Sequence, residues 1–366
     1  MLDKRHPFII KIGSSVLTGD DGRLDEGVIR ALVDSMARMM AEGYKICLVS
    51  SGAIAAGKGA LDMARAPKRL RYKQALAAVG QVRLMNVYQK WFSRHQLHVG
   101  QILLSHHDLS RRESFLNTRA TLQQLFELNI LPIINENDTV ATEEIQFGDN
   151  DQLAVLLANV LEARTVVFLS SAGGLLNPDL GQRIPVVEHI DSHILSMARG
   201  TSAMGTGGMG SKLMAIKKLT EAGKACYLVA GKKKDCLMEL AAGNCSGTFF
   251  VPHQVASSSK KQWMQQHLKP HGRIFVDEGA LKALKHNKAS LLVPGIKDFD
   301  GQWNVGDLVC ICMAECEFAR GMARCSSRQL SQVLGKNRDE VAIIMGHAFP
   351  RFVVHKDDIV LLDDPL

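Results

Sequence analysis

Two strand-length apolar runs, Phe8-Ile9-Ile10-Lys11-Ile12 and Lys45-Ile46-Cys47-Leu48-Val49-Ser50, flank a longer stretch from Val28 to Ala41. In that stretch Ile29, Leu32, Val33, Met36, Met39 and Met40 recur at helical spacing and the pattern stops at Gly43, so the methionines read as core. Strand, helix, strand at these lengths is a β-α-β unit, which commits the chain to a parallel sheet with helices packed on it. The alternation continues. Helical patterns over Pro67 to Trp91, Thr121 to Leu128, Gln152 to Ala158 and Leu213 to Leu219 fall between strand-like runs. Those runs are Val99 to Leu104, Ile130 to Ile134, Thr165 to Ser170 and Cys226 to Gly231, with Gly247 to Val251 closing the series. The expected fold class is α/β around a mainly parallel sheet.

A polar, aperiodic stretch, Ser257-Ser258-Ser259-Lys260-Lys261, interrupts this pattern, and beyond Pro270 the texture changes to short strands and glycine turns. Ile274 to Val276, Ser290 to Val293, Asp307 to Cys310, Gly321 to Ala323 and Phe352 to Val354 read as strands, with a helical piece from Ser326 to Leu334. The division expected is a first domain over 1–255, a linker over 256–270 and a small β-rich, barrel-like domain over 271–366. At 366 residues and 46% hydrophobic the chain can bury two such cores.

Composition narrows the function classes. The net charge is +7, and from Gln254 onward 15 Lys+Arg face 13 Asp+Glu, so no concentrated basic segment argues for nucleic acid. No apolar run approaches the ~20 residues of a membrane span, and no signal segment precedes Phe8, so the chain is expected in the cytoplasm. Eight cysteines in that setting read as reduced thiols. Cys310, Cys312, Cys316 and Cys325 contain no C-x-x-C pair, and Cys310 and Cys312 alternate as in a half-buried strand, so no metal site is read there.

The stretch Gly205-Thr206-Gly207-Gly208-Met209-Gly210-Ser211-Lys212 opens the helix that follows it. Glycines let backbone N–H groups turn toward an anion, and the helix adds its positive end; with Lys212 at the rim this is a phosphate cradle. It is no P-loop, since Ser211 and Lys212 stand in the wrong order. A second near-match, Ser51-Gly52-Ala53-Ile54-Ala55-Ala56-Gly57-Lys58-Gly59, lacks the hydroxyl after its lysine and prefers a helix. There Ser51 and Gly52 form a strand-to-helix turn, either purely structural or offering N–H groups to a carboxylate. Lys11, followed by Gly13, Ser14 and Ser15, ends the first strand, where it could meet phosphate oxygens or simply reach water. His106-His107 are adjacent, point different ways and are not read as paired ligands. Two polar clusters, Asn135-Glu136-Asn137-Asp138 and Gly148-Asp149-Asn150-Asp151, hold more carboxylates and amides than helix caps require, which favours a site for a small zwitterion.

If the cradle takes ATP, an ionised carboxylate is an acceptor that needs alignment and neutralisation but no base. Lys11 and Lys212 would then flank the transferring phosphoryl group, with Asp151 holding both and Mg²⁺ expected with the nucleotide. With Ile10 to Leu17, Ser51 to Gly57, both polar clusters and Gly205 to Lys212 in hand, the sequence resembles the amino acid kinase family. Val276-Asp277-Glu278-Gly279-Ala280 and Pro294-Gly295-Ile296-Lys297 look like the PUA domain that some members append. The resemblance covers nearly the whole chain. It implies a three-layer αβα sandwich and ATP-dependent phosphorylation of the glutamate γ-carboxylate to glutamyl 5-phosphate, the first step toward proline. It assigns Lys11, Lys212 and Asp151 to catalysis, and Ser51, Gly52, Asn135, Asp138 and Asn150 to glutamate. Lys11, Gly13, Ser14, Ser170, Ser171 and Thr206 through Lys212 would meet the nucleotide. Where members often carry Thr-Asp this chain has Ser170-Ser171, which leaves a contact at Ser171 open. Proline as a feedback inhibitor and a homodimer or homotetramer are further implications. The competing readings are a relative acting on aspartate, N-acetylglutamate or carbamate, and an RNA-binding or RNA-modifying protein, since PUA domains occur there too.

Overall fold

The computed structural model describes residues 2–63, 69–105, 108–109, 111–140, 149–178, 180–197, 208–253, 270–287, 289–314, 316–336, 340–341, 343 and 349–362. His106-His107, Gly148, Gly205 to Gly207 and all of the expected linker except Pro270 lie outside them. The chain divides into two compact units, one of Met1–Leu109 and Phe115–Ala256, the other of Ser110–Ser114 and Ser257–Leu366.

In the first unit β1 (Phe8–Ile12) leads through the short α1 (Ser14–Leu17) to α2 (Glu26–Ala41), β2 (Ile46–Ser50), α3 (Ala53–Ala60) and α4 (Leu70–Phe92). Then come β3 (Val99–Leu104), α5 (Arg112–Glu127), β4 (Leu131–Glu136), α6 (Asp149–Val160), β5 (Thr165–Ser170) and β6 (Val186–Val187). The unit ends with α7 (Ser192–Ser196), α8 (Met209–Glu221), β7 (Ala225–Ala230), α9 (Cys236–Ala241) and β8 (Thr248–Phe250). The strands form one sheet in the order β3-β4-β2-β1-β5-β7-β8-β6. Its pairings are parallel except that of β7 with β8.

Strand periodicity splits the core into two layers. Phe8, Ile10 and Ile12 of β1 join Ile46 and Leu48 of β2 and Val167 and Leu169 of β5 on one face, against Ile29, Leu32, Val33, Met36 and Met39 of α2 and Leu84, Tyr88 and Phe92 of α4. Ile9, Cys47, Val49, Val166 and Phe168 face the other way, against Leu153 to Val160 of α6 and Leu213, Ile216 and Leu219 of α8. A sheet buried on both faces by helices is the three-layer sandwich expected, and it explains why its strands are continuously apolar. Helix α2 starts where the Asp25 carboxylate accepts from the Gly27 and Val28 N–H groups. α3 and α4 approach so closely that a Cβ on Gly80 would lie 1.8 Å from the Ala53 carbonyl oxygen, and one on Gly57 2.0 Å from that of Leu76. Among the described residues no helix is long and apolar enough to cross a membrane.

The second unit carries β9 (Gly272–Val276), α10 (Glu278–Asn287), β10 (Ile296–Gly301), β11 (Leu308–Met313), β12 (Cys316–Ala323), α11 (Ser327–Val333) and β13 (Val354–Leu361). Its sheet runs β10-β9-β11-β12-β13, with only the β9–β11 pairing parallel. Ile274, Val276, Trp303, Val309, Ile311 and Phe318 form its core, and Trp303 Nε1 donates to the Cys325 carbonyl at 3.0 Å. Expectation and structure differ here in three places: of Phe352 to Val354 only Val354 lies in a strand, one expected strand is absent and one unexpected strand appears. Ser290 to Val293 is no strand: Leu291 makes an isolated bridge to Val354, and Val293–Gly295 turns in a 3-10 helix around Pro294. The strand Ile296–Gly301 was not legible because Asp298, Asp300 and Gly301 dilute its apolar content.

Candidate active site

β1 lies between β2 and β5. The chain first builds β1, β2, β4 and β3 to one side and then β5 and β7 to the other, so the carboxyl ends of β1 and β5 flank the crevice where open α/β sheets bind ligands. Gly13 follows β1 and its N–H donates to the Leu169 carbonyl at 3.3 Å. Ser15 Oγ lies 3.5 Å from Ser171 Oγ, so the loops after β1 and β5 meet there.

Lys11 occupies the same face of β1 as Ile9, the face that α6 and α8 cover. Its Nζ forms an ion pair with Asp151 Oδ1 at 2.5 Å, and Lys212 Nζ, from the first turn of α8, donates to Asp151 Oδ2 at 3.1 Å. Two lysines 201 positions apart therefore share one carboxylate, in a setting where Lys11 is 5%, Asp151 1% and Lys212 6% exposed. Burial pushes the Lys11 ammonium below the ordinary lysine range, against the pull of Asp151 and aided by the Lys212 charge. Burial alone would raise the Asp151 carboxyl; the two ammonium groups overrule it and hold it below the usual range. Two ammonium groups against one carboxylate leave this buried triad with a net positive charge, which suits it to receive further negative charge.

Beside it runs a chain of amides. The Glu136 N–H donates to Asn150 Oδ1 at 3.1 Å, and Asn150 Nδ2 donates to Ser51 Oγ at 3.1 Å and to Asn135 Oδ1 at 2.9 Å. Asn135 Nδ2 then donates to Gln81 Oε1, also at 2.9 Å. Helix α6 begins at Asp149, three residues before the expected onset at Gln152, so Asn150 and Asp151 sit inside its first turn and point across to other elements instead of capping it. β4 also runs further than expected, through Asn135 and Glu136. Asp138 is half-buried beyond it, and burial pushes its carboxyl up to about 6.

Gly52 has φ +109 and serves as the N-cap of α3, so the turn after Ser51 requires glycine. The near P-loop at Ser51 to Gly59 is helix α3, and its Lys58 Nζ donates to the Asp21 carbonyl at 2.8 Å. In the cradle, Gly208 is the N-cap of α8, Met209 and Gly210 open the helix, and Ser211 Oγ donates back to the Gly208 carbonyl at 2.9 Å. Thr206 and Gly207 lie outside the described residues. Ser170 Oγ, at the end of β5, is buried and has no hydrogen-bond partner among the described residues, so it is a polar atom able to bond a ligand. Ser14 opens α1 and is exposed.

Sequence reasoning missed Gln81. It lies in the middle of α4, where a glutamine reads as one more solvent-facing residue; the hint was its position beside Gly80, whose close approach to α3 turns that stretch of helix inward. It also missed the buried pair of Ser50 Oγ and Tyr88 hydroxyl, 2.8 Å apart, beneath Ser51.

The profile of the amino acid kinase family matches residues 7–230, and that of the PUA domain matches 272–345. A glutamate 5-kinase from Pelobacter propionicus is 41% identical over 362 residues, covering 97% of both chains. Another from Syntrophus aciditrophicus is 43% identical over 362 residues, covering 97% of this chain and 94% of that protein. Among solved structures, a carbamate kinase from Giardia lamblia bound to AMP-PNP aligns over 68% of this chain and 99% of its own, with a TM-score of 0.48 and 16% identity. With a family profile over most of its length and relatives this similar from end to end, the chain belongs to the amino acid kinase family, in the glutamate 5-kinase branch that carries a C-terminal PUA domain.

Proposed function

We propose that the chain transfers the γ-phosphoryl group of ATP to the γ-carboxylate of L-glutamate, giving L-glutamyl 5-phosphate and ADP, the first step of proline biosynthesis. The observation that carries this reading is the buried Lys11–Asp151–Lys212 triad with the hydrogen-bonded Ser51, Asn135 and Asn150 beside it. A γ-carboxylate oxygen forms a bond to the γ-phosphorus as the bond to the bridging oxygen of ADP breaks. The acceptor is already ionised at neutral pH, so no proton has to be removed and no general base is needed. Lys11 and Lys212 neutralise the charge on the transferring group, and Asp151 holds their amines at one spacing before substrate arrives. Such placement contributes most when the charge sits between the two oxygens.

The glutamate site is assigned to Ser51, Gly52, Asn135, Asp138 and Asn150. Asp138 suits the α-ammonium, because a carboxylate strained by burial gains most from a cation. The nucleotide site is assigned to Lys11, Gly13, Ser14, Ser170, Ser171 and Thr206 to Lys212. The Ser170 hydroxyl, unpartnered among the described residues, and the α8 N-terminus fit an anionic nucleotide. Mg²⁺ is assigned to the charged phosphates it arrives with. The domain limits 1–255 and 271–366, a cytoplasmic location, proline feedback and a homo-oligomer belong to the same reading.

The test is ATP turnover with glutamate, aspartate or N-acetylglutamate, trapping any acyl phosphate with hydroxylamine. Hydroxamate is expected with glutamate; its absence, or a preference for another acceptor, overturns the assignment.

A further inference from the structure

The amide chain beside the triad has a direction, and one group sets it. A backbone N–H can only donate, so the bond from Glu136 fixes Asn150 with Oδ1 toward β4. Asn150 Nδ2 must then face Ser51 and Asn135, where it spends both of its hydrogens. Asn135 is forced to present Oδ1 to Asn150, which turns its Nδ2 to Gln81. Gln81 is forced to accept with Oε1, so its Nε2, with two hydrogens to give and no partner among the described residues, ends the chain. Neither orientation can flip alone, because each amide would then set nitrogen against nitrogen or oxygen against oxygen. Gln81 is 9% exposed and Asn135 2%, so the order is held away from competing water.

The open end of this relay is therefore a donor, three side chains removed from the backbone group that sets it and, by way of Asn150, next in sequence to Asp151. We propose that Gln81 binds the α-carboxylate of the amino acid acceptor through Nε2 and is a specificity-determining residue of the site; this rests on the kinase reading above. The Ser51 hydroxyl, which accepts from Asn150 and keeps its own hydrogen, provides a second donor of the same kind. The pocket then sorts the three charges of glutamate. The γ-carboxylate goes to the two ammonium groups, the α-ammonium to Asp138, and the α-carboxylate to a wall of amide and hydroxyl donors that carries no charge. A neutral wall suits the end of the substrate that must not compete for the lysines, since an ammonium group there would draw either carboxylate.

The decisive substitution is Gln81→Glu. One oxygen still accepts from Asn135, while the other puts negative charge where the amide nitrogen donated. Steady-state kinetics would be run with L-glutamate and with its α-carboxamide, at pH 7.5 and below. The wild type should prefer glutamate. In the variant the glutamate KM should rise about 10- to 100-fold at pH 7.5, the loss of one donor to a charged acceptor, while the ATP KM stays within about twofold. The α-carboxamide should be penalised far less, so that the ratio of kcat/KM values for the two acceptors shifts by about tenfold or more. At lower pH the new carboxyl takes up a proton, becomes a donor again and should restore part of the glutamate affinity. A merely structural role would weaken both acceptors alike and show no such recovery, and that result, or an unchanged glutamate KM, overturns the proposal. If Gln81→Glu does not fold, Gln81→Met, of similar shape, replaces it: the same tenfold loss of discrimination supports the proposal and retained discrimination ends it. Wild-type protein that makes no glutamate hydroxamate would remove the kinase reading itself, whereas wild-type activity with indifferent Gln81 variants removes only this assignment.

Discussion

Lys11 is an ordinary strand residue whose register turns it inward, and its chemistry follows from that. Because burial holds its ammonium below the lysine value of 10.5, kcat/KM for ATP should fall on the alkaline side with a midpoint under that value. In Lys11→Arg, which stays ionised, that limb should vanish from the pH profile even if the overall rate is lower. Lys212→Ala should reduce kcat by about 10²-fold or more and change the glutamate KM by less than about threefold, since its charge acts mainly in the transition state. Steady-state rates with both substrates varied would show a large KM change instead if Lys212 merely held substrate. For Asp138 the sign is opposite to that of a paired carboxylate. Its folded value of about 6 lies above the ordinary 3.8, so its contribution to stability is fully present below 3.8 and is lost as pH rises through about 6. Asp138→Asn should therefore raise the Tm of the ligand-free protein by a few degrees at pH 7.5, as differential scanning fluorimetry would record, and give no gain near pH 4. The same variant should bind glutamate worse at pH 7.5, because the buried anion that weakens the empty protein is the partner of the substrate ammonium.

At the scale of elements, the α3–α4 contact ties the site together. α3 starts at Gly52 beside Ser51, and α4 carries Gln81; both are set by glycines through which the helix backbones touch. Gly80→Ala would force a methyl to within 1.8 Å of the Ala53 carbonyl oxygen, and backbone cannot step aside as a side-chain tip can. The expected cost is about 3 kcal/mol, read as a lower urea midpoint, together with a higher glutamate KM as Gln81 is displaced. A solvent-facing glycine in the same helix type would instead gain stability from alanine, so an unchanged or raised midpoint would show that the two helices do not meet as described. α6 contributes in another way: by starting at Asp149 its first turn aims Asn150 at the amide chain and Asp151 at the lysines, so one turn of helix joins both halves of the site.

For the whole molecule, the two units bury separate cores, one pair of layers around the large sheet and one cluster around the small sheet. Calorimetry should resolve two unfolding transitions, with glutamate and a nonhydrolysable nucleotide raising the larger one only; one transition that moves as a whole would mean the cores unfold together. Much of this architecture was readable in the chain. Apolar runs of strand length separated by helical periods dictate a parallel sheet, because each strand must be covered on both faces and no tight turn can join parallel neighbours. Glycines and lysines at strand ends marked the site for the same reason, since loops at the carboxyl edge are where such a sheet can hold an anion. The second unit was less legible, as Ile296–Gly301 shows, because short strands with one solvated face carry a weak and easily interrupted pattern. What sequence alone determined is the order of elements and the kinds of group at their ends, which depend on local periodicity and backbone preference. That Asp151 would hold both lysines is an expectation conditional on a bound nucleotide; the tertiary structure brings Lys11 and Lys212 onto that one carboxylate, and it alone shows that Gln81 ends a chain of amides begun by a backbone N–H. Those facts rest on which face of a strand is covered by which helix, and no local pattern encodes a contact between residues so far apart along the chain.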